Sequence, residues 1–113
     1  MISSPLSFPW GTEDVFAQNE QVTVKLLHVK KGECFSLQYH HHREEFWKVL
    51  SGHPKVIIGE ETYTGKPGDE FTVGREVKHR ILAEHEDATV LEIARGDFDE
   101  SDIVRLEDKY NRT

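Results

Sequence analysis

Short runs of strand-forming residues follow one another along most of this chain, each cut off by glycine, proline or charged turn residues. "QVTVKLLHV" (21–29) gives way to the turn "KKGE", "CFSLQYH" and "FWKVLSG" follow, and "KVIIGEETY" carries Gly59 where a hairpin would reverse. "TGKPGDEFTV" supplies Gly65, Pro67 and Gly68 as a loop before another strand, and "HRILAE" and "ATVLEIA" are separated by "HEDA". β-Branched and aromatic residues at close spacing between turn signals predict an all-β barrel or jelly roll. Only the tail, "DESDIVRLEDKY", has apolar residues at helical spacing, which predicts a short C-terminal helix after Asp99.

The chain is 113 residues long, a size that suits one domain: an N-terminal arm over 1–12 with Pro5, Pro9 and Gly11, a β-barrel core over 21–96, and a tail over 99–113. The net charge of −7 argues against nucleic acid or an anionic membrane as partner, since both require a basic face. No apolar stretch reaches spanning length, and the first residues lack a basic start followed by an apolar run. A lone cysteine, Cys34, cannot close an internal disulfide, so a reducing cytoplasm is the expected compartment.

The chemistry concentrates in "LQYHHHREEFW" (37–47). On an unbroken strand Gln38, His40 and His42 share one face while Tyr39, His41 and Arg43 share the other. Gln38 and His40 can then offer an amide oxygen and an imidazole nitrogen to one ion. Glu45 joins them if the chain bends, and His79 in "EVKHRI" is the natural distant fourth ligand. Such a set suits Zn, Mn, Fe, Ni or Co. A solvated histidine patch is the competing reading.

The order Gly32, Gln38, His40, Glu45, Gly52 reproduces the spacing of the first cupin motif, with glutamine in place of its first histidine. Gly68 and His79 stand at the separation of the second motif, but its internal proline and glycine are replaced by Gly74 and Glu76 and its final asparagine by Ala83. The turn before His79 must therefore be built differently. More specifically, "PWG" (9–11), "SLQYHHHREEFW" (36–47), "SG" (51–52), "KHR" (78–80) and "DIVRLEDKYNR" (102–112) resemble the cupin domain of type II phosphomannose isomerases. This module ends the bifunctional isomerase/mannose-1-phosphate guanylyltransferases. The resemblance implies a cupin double-stranded β-helix, a bound divalent metal, and interconversion of mannose 6-phosphate and fructose 6-phosphate. The nucleotidyltransferase half has no counterpart in this sequence, so nucleotide-sugar synthesis is not expected.

Two departures matter. Where the family reads Arg-Ala-Glu-His-Trp, this chain reads Arg43, Glu44, Glu45, Phe46, Trp47, and the family's Glu-x-Gln becomes Glu92, Ile93, Ala94. If the missing imidazole carries protons, the chain binds a sugar or sugar phosphate without turning it over, and Phe46→His would raise the rate. A metal-dependent oxygenase uses the same fold and similar ligands, and fold alone does not separate these readings.

Aldose–ketose isomerisation needs a group that shuttles a proton between neighbouring carbons, a cation to polarise oxygens, and an anchor for phosphate. His42 and Glu92 are the candidates for proton transfer. Lys25, Arg43, Lys78 and Arg80 are candidates for the phosphate, although alternation sets Arg43 and Arg80 opposite His42 and His79. His28, His53 and His85 are expected at the surface, Cys34 in a strand, and Trp10 and Trp47 in the core or at a dimer contact. The proline-bearing arm with Trp10 suggests a homodimer.

Overall fold

Eleven strands account for the regular structure of the computed structural model, which describes residues 6–13, 15, 17–35, 37–96 and 101–107. They are β1 (Leu6–Phe8), β2 (Gly11–Glu13), β3 (Val22–Val29), β4 (Leu37–Tyr39), β5 (Arg43–Ser51), β6 (Lys55–Ile58), β7 (Glu61–Thr64), β8 (Glu70–Val73), β9 (His79–Leu82), β10 (Ala88–Gly96) and β11 (Val104–Glu107). One antiparallel sheet runs β3-β10-β5-β8 and a second runs β11-β4-β9-β6-β7. The all-β jelly-roll expectation holds. No helix among the described residues is long and apolar enough to cross a membrane.

Alternation decides what each strand buries. In β5, Arg43, Glu45, Trp47 and Val49 face inward and are all buried. Their neighbours in β10 are Glu92 and Val90, since Trp47 pairs with Glu92 and Val49 with Val90. Val56 and Ile81 project from the second sheet into the same cluster, joined by Val29, Val73, Ala83 and Ala88. The core therefore lies between the sheets, and each aliphatic side chain fully buried there contributes roughly 1.5–3 kcal/mol. The inward face of β5 changes from apolar to charged within one strand, and the charged end makes the site described below.

Turn chemistry follows the sequence closely in the middle of the chain. Gly59 and Glu60 link β6 to β7 as a two-residue hairpin, with Gly59 at φ 60°. Gly52 has φ 81°, and a Cβ there would lie 2.4 Å from the Asp87 carbonyl oxygen, so both conformation and space require glycine.

Two expectations change. Val104–Glu107 is strand rather than helix, because it pairs antiparallel with β4 through Val104–Tyr39 and Arg105–Gln38. The pairing of this segment with β4 overrides its helix-like spacing; residues 97–100 and 108–113 lie outside the described residues. The N-terminal arm carries a small hairpin, β1 with β2, in which Phe8 and Trp10 stack at 5.1 Å. Trp10 is 68% exposed and so is no part of the core, whereas Trp47 is fully buried. Cys34 makes only an isolated bridge to Leu82.

Candidate metal centre and its carboxylate pair

Three side chains from three strands or strand ends converge at the charged end of the core. One donor atom each from His40, Glu45 and His79 lies within 4.8 Å of the other two, and all three residues are buried. His40 Nε2 is 3.4 Å from Glu45 Oε2, and His79 Nε2 is 3.8 Å from Glu45 Oε1. Gln38 pairs with His79 across β4 and β9, and its amide nitrogen is 3.5 Å from His40 Nε2. The four residues read as ligands thus gather in one place.

Backbone carbonyls fix both imidazoles. His40 Nδ1 donates to the Asp102 carbonyl at 2.6 Å and His79 Nδ1 donates to the Val77 carbonyl at 2.9 Å. A carbonyl can only accept, so each Nδ1 carries the ring proton and each Nε2 presents a lone pair toward Glu45. Burial lowers the pKa of both histidines, with partial compensation from those carbonyls and from Glu45, which keeps the lone pairs available. His79 Nε2 is buried and makes no hydrogen bond among the described residues. Two neutral imidazoles and one carboxylate form a donor set that fits a divalent ion of the Zn, Mn, Fe, Ni or Co group.

Glu45 is held on every side. Trp47 Nε1 donates to its Oε1 at 3.0 Å and Arg43 Nε donates to its Oε2 at 3.1 Å. Burial pushes the Glu45 carboxyl upward, but its hydrogen bond with Glu92 and its electrostatic attraction to His79, His40 and Arg43 outweigh this and hold it below the ordinary carboxylate value. Glu92 is the opposite case. Burial, the hydrogen bond with Glu45 and the Glu45 charge push it up to about 8, against smaller opposing effects from Lys25 and Arg43. One proton is shared between two carboxyls, and Glu92 holds it.

The remaining candidates divide. Lys25 stands across from Glu92 in the register of β3 and β10 and is half-buried. Arg43, which strand parity set on the opposite face, points inward and donates from Nη2 to His40 Nε2 at 3.1 Å. The cause is the bend at His41 and His42, where β4 has ended and β5 has not begun, so alternation restarts. The same bend removes His42 from the site: its side chain is exposed, and its backbone N–H donates to Asp102 Oδ2 at 2.9 Å. Arg80 lies on the outer face of β9, where it binds the Glu107 carboxylate at 3.1 Å and the Glu107 carbonyl at 2.9 Å. Lys78 pairs with Glu60 at 2.8 Å. His28, His53 and His85 are exposed, as expected.

Phe46 also changes meaning. It is 2% exposed and pairs with Ile93 on the face of β5 away from Glu45 and Trp47. An imidazole at this position would point out of the sheet, not toward the ligands. The turn before His79, with Glu76 in place of glycine, is made by Glu76 at φ 61°, its N–H bonded to the His40 carbonyl at 2.7 Å. Sequence reasoning missed Asp102, which no spacing rule connects to His40. It also missed the bond from Trp47 to Glu45, which alternation makes available at two residues' separation.

The family described as "Mannose-6-phosphate isomerase C-terminal" matches residues 4–108. The xanthan biosynthesis protein XanB of Xanthomonas campestris pv. campestris is 37% identical over 107 residues, covering 93% of this chain and 23% of that protein. Mannose-1-phosphate guanylyltransferase 2 of Escherichia coli O157:H7 is 35% identical over 106 residues, covering 90% of this chain and 22% of its own length. The chain therefore spans less than a quarter of these curated relatives. Among solved structures, a cupin 2 domain-containing protein from Halorhodospira halophila superposes with a TM-score of 0.66 at 21% identity, over 75% of this chain and 59% of that one. Two antiparallel sheets enclosing a His–Glu–His group make the fold a cupin double-stranded β-helix, and the chain belongs to the mannose-6-phosphate isomerase C-terminal family.

Proposed function

We propose that this chain is a metal-dependent aldose–ketose isomerase acting on mannose 6-phosphate and fructose 6-phosphate. The observation that carries the reading is the adjacency of two unlike carboxyls: Glu45 ionised among two imidazole lone pairs, and Glu92 protonated beside it. His40, Glu45 and His79, with Gln38 at their edge, would hold the ion. A bound divalent ion would supply polarisation of the substrate oxygens at C1 and C2. Glu92, in its ionised form, would take the proton from C2 and return it to C1 while a proton passes from the C2 hydroxyl to the C1 oxygen, and a carboxyl whose pKa stands at about 8 can give up and regain that proton near neutral pH. Lys25 and Arg43 are the cations near enough to that carboxyl to meet an anionic substrate. The family membership supports the same substrate class.

The alternative of binding without turnover rested on Phe46. That position faces away from the site, so the argument for a lost proton carrier no longer favours it. Mannose 6-phosphate incubated with the protein in deuterated water should give fructose 6-phosphate with solvent deuterium entering at the reacting carbons. Chelator treatment or His79→Ala should stop both. Absence of product and of deuterium exchange across the divalent series would overturn the reading.

We also infer that two copies pair through the N-terminal hairpin, on whose surface Phe8 and Trp10 stack exposed. Light scattering is expected to give a dimer mass that Trp10→Ser reduces to a monomer; a monomeric native protein at micromolar concentration contradicts it.

A further inference from the structure

Arg43 reaches for the lone pairs that an ion would need. Its Nη2 donates to His40 Nε2 at 3.1 Å and its Nε donates to Glu45 Oε2 at 3.1 Å, and these two acceptors are themselves 3.4 Å apart. His40 has one lone pair in its ring, because Nδ1 spends its hydrogen on the Asp102 carbonyl. That lone pair can serve a guanidinium hydrogen or a metal ion, not both. Arg43 cannot escape the conflict by losing its charge, since a guanidinium stays protonated. It is also buried, at 7% exposure, so a second cation bound at the same atoms would face it with little water to screen them.

We propose that Arg43 is an exchangeable internal counter-ion of the His40–Glu45 pair: a divalent ion entering at these atoms turns the guanidinium away from them. Ion affinity is then set by a competition within the chain, and loading the site hands a buried guanidinium to other acceptors, among them any anionic ligand. The inference rests on the metal-binding part of the reading above and is independent of isomerisation. It also explains how a neutral imidazole and a carboxylate remain matched side by side: the forked guanidinium bonds both.

The full chain and its Arg43→Met variant, which keeps the apolar stem and loses the donors, would be titrated with Zn²⁺ against a chromophoric chelator. The variant should bind Zn²⁺ roughly 10- to 100-fold more tightly, the equivalent of one or two charge-assisted hydrogen bonds no longer displaced. Its metal-free form should melt lower, because Glu45 loses a cation, so the gap between melting temperatures without and with Zn²⁺ should widen. Equal or weaker Zn²⁺ binding by Arg43→Met overturns the proposal. Should that variant fail to fold, the native protein labelled with ¹⁵N-arginine decides: the Arg43 Nε resonance should shift and its hydrogen should exchange faster as Zn²⁺ is added, and an unchanged resonance at full loading overturns the proposal. Failure of both proteins to bind Zn²⁺ removes it together with the metal site. Competition without any sugar-phosphate interconversion leaves the proposal standing and removes only the isomerase.

Discussion

Glu92 and Glu45 share a proton across one sheet face, and Glu92 is the carboxyl that holds it. Glu92 sits opposite Trp47 in the β5–β10 register, so it lies diagonal to Glu45 on the inward side, and its hydrogen bond leaves Glu45 free to stay ionised. The two residues have the same side chain and different protonation, set by what surrounds each.

This arrangement has a stability signature in the chelator-treated protein. Glu92 keeps its proton up to about 8 when folded, against an ordinary value of 4.5 when unfolded. Between those values the folded chain binds more protons, so this contribution is complete at low pH and is lost as the pH rises through about 8. His40 and His79, lowered from 6.5, act in the opposite sense and cost stability as the pH falls below that value. Glu92→Gln removes the alkaline loss alone. Urea midpoints measured from about pH 5 to about pH 9 should show the variant gaining on the native protein by roughly 2–5 kcal/mol across that range. Parallel curves would mean that Glu92 is ionised in the folded protein.

Phe46→His separates the two faces of β5. The substitution places a polar ring beside Ile93 on a buried outer surface, which should cost roughly 2–4 kcal/mol, and it should give no increase in the rate of isomerisation. Calorimetry and an initial-rate assay read the two effects separately. A faster enzyme would show that this position reaches the substrate after all.

The runs "FWKVLSG" and "ATVLEIA" are legible as strands and form most of β5 and β10, although nothing in the sequence assigns a face to Glu92; strand alternation assigns faces across 38–43. It failed across His40–Arg43, where two exposed histidines break the strand and Asp102 holds the break in place through the N–H groups of His41 and His42. The stretch 37–47 that supplied three of the four ligand candidates therefore also misplaced Arg43 and His42. Ligand spacing survives such a bend, since it records positions along the chain. Facing does not, since it depends on where the strand ends. The tail misled for a related reason: Ile103, Val104 and Leu106 satisfy a helical period, and the segment pairs with β4 instead.

Glu76 offers a test of strain near the ligands. A non-glycine residue at φ 61° carries a conformational cost of about 1–2 kcal/mol, and the residue here is tied at its N–H to the His40 carbonyl. Its carboxylate contact with His41, at 3.2 Å, is exposed and contributes little. Glu76→Gly should therefore be neutral or raise stability by up to about 1 kcal/mol, while Glu76→Val should lower it by about 1–2 kcal/mol. Thermal unfolding of the three proteins gives the order directly. A glycine variant less stable than the valine variant would show that this turn is not strained.

The carbonyl of Asp102 orients His40 from 62 positions further along the chain, and the side chain of the same residue clamps the two amides that follow His40. The stretch from Gly32 to His79 that spells out the ligands is consequently shorter than the unit that makes them work. A fragment cut before Ser101 would retain every donor atom, yet its His40 Nδ1–H would lose the carbonyl that accepts it, leaving the ring held from its Nε2 side, where Arg43 donates. The segment leading into the last strand is thus a tuning element for His40, and a change in how the tail docks would be felt as a change in ion affinity, with no ligand altered.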